Sequence, residues 1–336
     1  MNPANKTYQV AIVGCGLIGQ KRAKNLGSAR LTIAVDTDLE RARNLAGTVP
    51  GTIASDKLQD VLNSIEIDIV IVATPNKYLA EIALASLRAN KHVLVEKPAA
   101  CTSQELDPLI DAANKYGKIV RVGFNHRYHP ALLKARELFE SGILGELMFI
   151  RGRYGHGGRI GYEKEWRANP TLSGGGELID QGVHLIDLAR WFLGDFVEVN
   201  GYAHTYFWHM PVDDNGFMLL KTARQQVAFL HVSCTEWKNL FSLEIYGKDT
   251  KLHVQGLGGS YGVERLEFFQ MLPEMGPPKT TIWEYPRGDN SWDMEFNEFL
   301  NDIDQGRNPA ANLQDAKAAL DIVQQIYSKS RNIGKT

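Results

Sequence analysis

Three ionisable side chains, Asp180, His184 and Asp187, are spaced along a largely apolar stretch, GGGELIDQGVHLIDL, at residues 174–188. On an α-helix, which turns by about 100° per residue, these three side chains lie within roughly 60° of one another. Burying such groups is costly unless they have partners or a chemical role. The stretch therefore predicts one helix with an ionisable stripe that faces a ligand or a partner.

His184 can act as a general base, because an imidazole with an unperturbed pKa of about 6.5 can accept a hydroxyl proton near neutrality. Asp180, one turn earlier, can orient the imidazole and stabilise its protonated form, and both residues can also contact substrate hydroxyls. Asp187 is interpreted as a structural partner for a basic group. A histidine bonded within the core is the alternative for His184. Asp180 and His184, four residues apart on one helix face, could also bind a metal ion together. No third ligand is evident, so no metal site is predicted.

A third chemically capable residue, Lys97, ends the predicted strand HVLVEK and is followed by Pro98, which disfavours a helical conformation at Lys97. Lys97 can hydrogen-bond a reacting oxygen and stabilise its negative charge, or serve as the base if burial lowers its pKa. A solvated charge is the alternative. We predict Lys97, Asp180 and His184 as the catalytic group, with His184 as the base and Lys97 left open for that role.

A glycine-rich turn, VGCGLIG, follows the first predicted strand and precedes a helical stretch. In such a turn the first glycine allows the bend, the second lets a pyrophosphate approach the backbone, and the third permits close helix packing. The amide groups of the helix N-terminus then face the phosphates. The predicted contacts with a dinucleotide at this turn are Gly14, Gly16, Leu17, Ile18 and Gly19.

Asp36 ends the second predicted strand, LTIAVD, about 20 residues after the glycines, where a carboxylate can bind both ribose hydroxyls of adenosine. A carboxylate repels a 2′-phosphate, so the predicted cofactor is NAD, with NADP less favoured. Arg41 and Arg43 follow shortly and leave the choice open. Asp38 is a candidate N-cap for the next helix.

The elements around these residues fall into two halves. In residues 1–124, strands that are apolar on both faces alternate with helical stretches, which predicts a doubly wound α/β domain with a parallel sheet. Residues 125–336 begin with a helix near 131–141, a strand at 145–155 and the helix predicted within residues 174–188. Strand-like runs joined by turns such as DDNG follow. This pattern predicts an α+β domain with a large, mostly antiparallel open sheet. Two final helices, near 292–305 and 313–331, are expected to pack back across the domains, and the ligand site is expected in a cleft.

These motifs, with ATPN at 73–76, VLVEKP, GFNHRYHP at 123–130 and GGGELIDQGVHLIDLARW, occur in the order in which the Gfo/Idh/MocA family of NAD(P)-dependent oxidoreductases carries them. The chain resembles that family over most of its length. One departure is Leu79, where the family often has a histidine after TPN.

The resemblance implies a Rossmann domain followed by an open-sheet domain, with Lys97 matching the lysine of the family's EKP motif and Asp180 and His184 matching its acid–histidine pair. It also implies activity on a secondary alcohol or ketone of a sugar, an inositol or a nucleotide-linked sugar, and a homodimer or homotetramer formed through the second sheet. Further cofactor contacts implied in this way are Ala73, Thr74, Pro75, Asn76, Glu96 and Lys97.

Candidate substrate contacts lie after the last Rossmann strand and in a glycine-rich loop at residues 151–173 that is rich in aromatic and basic side chains. Aromatic faces can stack on sugar rings and arginines can pair with an anionic group, which favours a nucleotide-sugar or another anionic sugar over free inositol. A scattered surface loop is the alternative. The predicted substrate contacts are Asn125, Arg127, Tyr128, Tyr154, Trp166, Arg167, Asp180 and His184.

Three functions remain open from sequence: an NAD-dependent sugar or cyclitol dehydrogenase, an NADP-linked reductase or transhydrogenase, and a non-catalytic NAD-binding regulator. A regulator is expected to lack one of Lys97, Asp180 and His184, and this chain keeps all three. We therefore favour the dehydrogenase.

Composition sets the remaining limits. The 336 residues are 44% hydrophobic and 23% charged with a formal net charge of −2, which favours a two-domain globular protein and gives no electrostatic case for binding nucleic acid. The three cysteines show no CxxC spacing, so neither a disulfide framework nor a zinc site is predicted. The first residues lack a signal-peptide core, and no run approaches the ~20 apolar residues of a membrane span. We expect a cytoplasmic protein.

Overall fold

A computed structural model describes residues 6–274 and 276–333, with side chains described as far as residue 330. The chain divides into two compact units. Unit 1 comprises Met1–Phe124 and Trp292–Lys317, and unit 2 comprises Asn125–Ser291 and Ala318–Thr336. The sequence placed all of residues 125–336 in the second domain, whereas the structure groups residues 292–317 with unit 1.

Unit 1 contains a parallel sheet of six strands in the order β3-β2-β1-β4-β5-β6. Its strands are β1 (Gln9–Val13), β2 (Arg30–Val35), β3 (Ile53–Ser55), β4 (Ile69–Val72), β5 (His92–Val95) and β6 (Val120–Val122). Its helices are α1 (Leu17–Ala23), α2 (Leu39–Ala46), α3 (Leu58–Leu62), α4 (Asn76–Arg88) and α5 (Asp107–Tyr116). The doubly wound α/β prediction is confirmed.

The sequence missed β3, because three residues at the sheet edge are too few to show a periodic pattern. The other five strands agree with the apolar runs, and β4 is buried at every position. Strands buried on both faces need helices on both sides, which explains why these runs are continuously apolar.

Unit 2 is built on an eight-stranded sheet in the order β14-β13-β12-β11-β7-β10-β9-β8. Its strands are β7 (Leu147–Gly155), β8 (Phe196–His204), β9 (Asn215–Thr222), β10 (Val227–Ser233), β11 (Leu240–Gly247), β12 (Thr250–Gln255), β13 (Glu264–Gln270) and β14 (Lys279–Tyr285). Neighbouring strands are antiparallel except β7 and β10, which are parallel. The predicted large, mostly antiparallel sheet is confirmed.

Helices of unit 2 include α6 (Pro130–Glu140), α7 (Pro170–Ser173) and α8 (Val183–Leu193), and the chain closes with α9 (Ser291–Gln305) and α10 (Leu313–Ile333). The side chains of α9 that lie in unit 1 contribute Phe296 and Phe299 to the core beneath β1 and β2. In the part of the chain that the structure describes, none of the helices combines the length and apolar character needed to cross a bilayer.

The predicted helix is present as a continuous run from Glu177, but its first turn is π-helical rather than α-helical. Gly174, at a φ of +77°, ends α7, a π-helical turn follows at Leu178–Gly182, and α8 starts only at Val183. The wider π turn changes the angular spacing on which the predicted single stripe depended.

Asp213, a buried carboxylate, fixes the start of this turn. It accepts hydrogen bonds from the backbone N–H groups of Gly176 at 2.9 Å and Leu178 at 2.8 Å, and from the Tyr327 hydroxyl at 2.8 Å. A Cβ at Gly176 would lie 1.9 Å from the Asp213 carbonyl oxygen. Gly176 therefore makes room for a neighbouring backbone. The DDNG segment, predicted as a turn, instead supplies this buried cap and leads directly into β9.

Replacing Gly176 with Ala is expected to lower the free energy of unfolding by about 2–3 kcal/mol, because the new methyl group must displace backbone. The matched control is Gly288→Ala, where a Cβ meets no atom within 4 Å among the described residues. Urea denaturation of both variants checks this, and equal stability of Gly176→Ala and the control would contradict the packing argument.

Candidate functional site

The glycine-rich turn of unit 1 lies between three strand ends. Gly14 has a φ of +96°, donates its N–H to the Val35 carbonyl oxygen at 2.8 Å, and leaves no space for a Cβ, which would lie 2.5 Å from the Ala73 oxygen. A Cβ at Gly19 would lie 2.0 Å from the Gly14 oxygen. Gly16, in contrast, faces open space. The turn and packing roles predicted for Gly14 and Gly19 match this geometry, and the approach of a pyrophosphate to Gly16 stays a prediction.

Asp36 is held at the end of β2 by two backbone N–H groups, those of Cys15 at 2.8 Å and Asp38 at 2.9 Å. These bonds fix a half-buried carboxylate beside the glycine-rich turn. Asp38 accepts the N–H of Glu40 at the N-terminus of α2, so its predicted capping role is confirmed. Arg41 pairs with Asp38 at 3.3 Å on the surface.

The predicted contacts at residues 73–76 follow β4, and α4 begins at Asn76. Among the described residues, the hydroxyl oxygen of Thr74 is buried without a hydrogen-bond partner. Together with the open space at Gly16 and the first turn of α1, where Leu17 and Ile18 lie, this hydroxyl fits a dinucleotide. The residues of unit 1 therefore suit NAD.

Glu96 and Lys97 follow β5, and a buried ion network holds the first of them. Arg22 of α1 is fully buried and binds Glu96 through Nε at 2.6 Å and Glu295 of α9 through Nη1 at 2.5 Å. Burial disfavours the charged guanidinium, but the two carboxylates outweigh it and raise the pKa of Arg22. Because Glu96 binds Arg22, its predicted cofactor contact stays a prediction, and its visible role is to anchor the segment that carries Lys97.

In unit 2, Asp187 forms a two-point ion pair with Arg127. The Arg127 Nε lies 2.8 Å from one carboxylate oxygen of Asp187 and Nη2 lies 2.5 Å from the other, and both residues are buried. Asp187 is therefore the structural partner of a basic group, as predicted. Arg127, expected to contact substrate, uses this guanidinium edge within the protein, so its substrate contact stays a prediction.

Asp180 faces a different arginine. Its Oδ2 accepts a hydrogen bond from Nε of Arg167 at 3.0 Å, and Arg167 also packs over the Trp166 ring at 4.7 Å. The nearby Asp180 carboxylate raises the pKa of Arg167. The structure thus brings three of the predicted substrate contacts together in unit 2.

His184 is 3% exposed and its ring stacks on that of His126, with centroids 3.8 Å apart and planes 28° from parallel. Tyr154 of β7 approaches both imidazoles edge-on, at 5.1 Å from His126 and 6.2 Å from His184. Burial raises the pKa of Tyr154, so its hydroxyl stays protonated. Two of the predicted site residues, His184 and Tyr154, therefore both contact His126, which the sequence analysis did not identify as a site residue.

Two further predicted contacts, Asn125 and Tyr128, are buried in the 3₁₀ turn Asn125–Tyr128 that also carries His126. The Asn125 amide nitrogen donates to the Ser291 hydroxyl at 2.8 Å. His126 was missed because it sits within GFNHRYHP among other polar residues, and neither spacing nor periodicity indicates which of them packs on His184. Among the described residues no cluster of three or more His, Cys, Asp or Glu side chains is arranged to hold a metal.

Comparison with known proteins adds two family matches. A family model described as "Oxidoreductase family, NAD-binding Rossmann fold" matches residues 8–124, and one described as "GFO/IDH/MocA C-terminal domain" matches residues 132–253. The two models belong to one family and together cover most of the chain.

Curated relatives include a levoglucosan dehydrogenase of Pseudarthrobacter phenanthrenivorans, 33% identical over 49% of this chain and 43% of the relative. An inositol 2-dehydrogenase of Saccharopolyspora erythraea is 32% identical over 59% of this chain and 57% of the relative. The match thus spans about half the length of these relatives. A solved levoglucosan dehydrogenase, in complex with NADH and levoglucosan, has a TM-score of 0.87 at 22% identity, covering 97% of this chain and 98% of that one, which shows a shared fold.

Gly16→Ala is expected to weaken NAD binding, whereas Gly19→Ala is expected to lower thermal stability. A Cβ at Gly16 fills open space in the free protein but blocks close approach to a pyrophosphate, so the Kd for NAD rises about tenfold, or about 1.4 kcal/mol, with Tm unchanged. Gly19→Ala must shift the backbone of Gly14 and lowers Tm. Calorimetric titration with NAD and thermal unfolding check both, and a Gly16→Ala variant that binds NAD normally would contradict the site.

Proposed function

Because the chain belongs to the Gfo/Idh/MocA family of oxidoreductases, with an NAD-binding Rossmann domain, we propose that it is an NAD-dependent dehydrogenase that interconverts a secondary alcohol and a ketone on a sugar or cyclitol. The observation that carries the proposal is the buried imidazole of His184, placed one turn after Asp180 in the family's C-terminal domain. A dehydrogenase needs a proton acceptor for the carbinol hydroxyl, and this histidine supplies one.

Bound NAD supplies the hydride acceptor in the oxidation direction. His184 takes the hydroxyl proton, and the Asp180 carboxylate, held by Arg167, offsets the positive charge that forms on the imidazole. Lys97 donates a hydrogen bond to the reacting oxygen and stabilises its developing negative charge. The alternative assignment makes Lys97 the base, with His184 as the hydrogen-bond donor.

The charges of the loop after β7 favour a neutral substrate. Arg159 pairs with Glu165 at 2.7 Å, and Arg167 pairs with Asp180, with Glu165 also 3.7 Å away. Arg153, on β7, alternates with the buried Tyr154 and is exposed, so it lies on the other face of the sheet. Arginines that already face carboxylates add little attraction for a phosphate, so we favour a neutral sugar or cyclitol over the nucleotide-sugar that the sequence suggested. The names of the relatives, levoglucosan and inositol dehydrogenases, support this choice.

A homo-oligomer formed through the outer face of the unit 2 sheet belongs to the same proposal. Leu219 of β9 and Phe229 of β10 are cross-strand partners, each about half exposed. Tyr202 of β8 is more exposed still. Large apolar side chains that stay in water on a sheet face support association into a homodimer or homotetramer.

The proposal is tested by assaying neutral sugars, anhydrosugars, inositols, sugar phosphates and nucleotide-sugars with NAD and following NADH formation. We expect neutral polyols to be the better substrates by kcat/KM, and His184→Ala to lower kcat by about a hundredfold or more while the Kd for NAD stays unchanged. A His184→Ala variant with normal turnover would show that the role assigned to this residue is wrong. Faster reaction of nucleotide-sugars would contradict the charge argument.

Asp36 carries the proposed preference for NAD over NADP. Asp36→Ala is expected to reduce the ratio of kcat/KM for NAD to that for NADP by about tenfold or more, because the variant loses both the ribose contact and the repulsion of a 2′-phosphate. Steady-state kinetics with both cofactors measures this ratio. Asp38→Ala is the control, since that residue caps α2, and an Asp36→Ala ratio no lower than that of the control would overturn the assignment.

A further inference from the structure

We propose that His126 is a positioning residue that holds the imidazole of His184 in the orientation needed for proton transfer; this inference rests on the proposed function. The two rings belong to different elements of unit 2, the turn Asn125–Tyr128 and α8. Their centroids are 3.8 Å apart with planes at 28°, which is van der Waals contact over the ring face. Both side chains are buried, at 6% and 3% exposure.

An imidazole needs such a support because the torsion that turns its ring is broad and has no sharp minimum. A ring stacked on one face blocks rotation out of the plane. Tyr154 limits motion from a second direction, with its ring at 75° to that of His184. The Tyr154 ring in turn packs against the ring of Tyr261, with centroids 5.5 Å apart, and this contact limits the movement of Tyr154.

The ring of His126 is itself held by a hydrogen-bonding partner, the side chain of Asn125. Its Nδ1 lies 3.3 Å from the Asn125 side-chain oxygen, and the Asn125 amide nitrogen donates to the Ser291 hydroxyl at 2.8 Å. Ser291 donates to a carboxylate oxygen of Asp289 at 2.6 Å. These contacts form a series from the N-terminus of α9, at Ser291, to the ring face of His184. Each side chain in the series limits the movement of the next.

A second buried histidine, His129, also packs against His126. His129 meets it edge-on at 5.6 Å, and Nδ1 of His129 lies 2.8 Å from a Glu264 carboxylate oxygen. Glu264 also accepts the backbone N–H of Ala131 at 2.6 Å, at the start of α6. The ring of His126 is therefore fixed by packing as well as by its hydrogen bond, as a residue that orients a catalytic group must be.

The decisive comparison is between His126→Ala and His126→Phe. The alanine variant removes the stack, and we expect kcat to fall about tenfold to a hundredfold with the Kd for NAD unchanged, since a small misplacement of a reacting group has effects of that size. The phenylalanine variant keeps a flat ring against His184 and is expected to restore kcat to within about fivefold of the natural protein. Ser291→Ala, which removes the hydroxyl that holds the Asn125 amide, is expected to give a smaller loss of kcat and serves if His126→Ala folds poorly.

His231→Ala is the matched control. His231 is also a stacked histidine of unit 2, with its ring 4.4 Å from Phe217 and nearly parallel to it, but it lies on β10 among residues to which we assign no part in the reaction. Its substitution removes a comparable stack and is expected to leave kcat unchanged. A loss of kcat in His231→Ala as large as in His126→Ala would mean that general loosening of unit 2 explains the effect, and would overturn the proposal.

A readout without turnover separates this inference from the proposed function. In protein labelled with ¹³C at the histidine ring, the His184 signal is assigned by its loss in His184→Ala. We expect one sharp signal in the natural protein and in His126→Phe, and a broadened or doubled signal in His126→Ala. An unchanged signal, or a phenylalanine variant no better than alanine, would overturn the positioning role. Absence of activity on every polyol would instead contradict the proposed function and leave the ring measurement decisive for His126.

Discussion

The buried ion pair between Arg127 and Asp187 illustrates the constraint on which both units depend, namely that a charge removed from water must meet an opposite charge or hydrogen-bonding groups. Removing one member of such a pair typically costs about 3–5 kcal/mol, because the other is left uncompensated. Unit 1 meets the same constraint with Arg22 between Glu96 and Glu295. Within unit 2 this ion pair joins the turn Asn125–Tyr128 to α8, and within unit 1 the Arg22 network joins α1 to α9 and to the end of β5.

This constraint gives Asp180, His184 and Asp187, within residues 174–188, different roles. Asp187 neutralises a buried guanidinium and stabilises the contact between α8 and the turn Asn125–Tyr128. Asp180 shares its carboxylate with Arg167 in a less buried place. His184 packs on the imidazole of His126, with the ring centroids 3.8 Å apart. The proposed catalytic role of His184 therefore rests on its place beside His126, whereas Asp180 and Asp187 are both engaged with arginines.

Local demands on the backbone made much of the fold predictable from sequence. The glycine-rich turn was recognisable because Gly14 needs a positive φ and Gly19 a close approach, and both requirements act within a few residues. The strands of unit 1 were recognisable because burial on both faces leaves a continuous apolar run. The role of Asp187 was also predictable, since a buried carboxylate requires a basic partner.

Interactions between distant parts of the chain account for what the sequence did not reveal. The π turn at Leu178–Gly182 depends on Asp213, which lies more than 30 residues later, and helical periodicity carries no sign of it. The stack of His126 on His184 joins segments almost 60 residues apart. The arginines of the loop after β7 suggested an anionic substrate until their pairing with Glu165 and Asp180 was visible. In each case the residue type was evident and its partner was not.

Transfer of deuterium from substrate to cofactor is the most direct test of the proposed dehydrogenase activity. The protein is incubated with NAD and a neutral sugar or inositol that carries deuterium at every carbon-bound position, and the reduced cofactor is weighed by mass spectrometry. Direct hydride transfer gives NADH that contains one deuterium atom from the carbon of the oxidised alcohol. Reduced cofactor without deuterium, or no reduced cofactor with any neutral polyol, would contradict it.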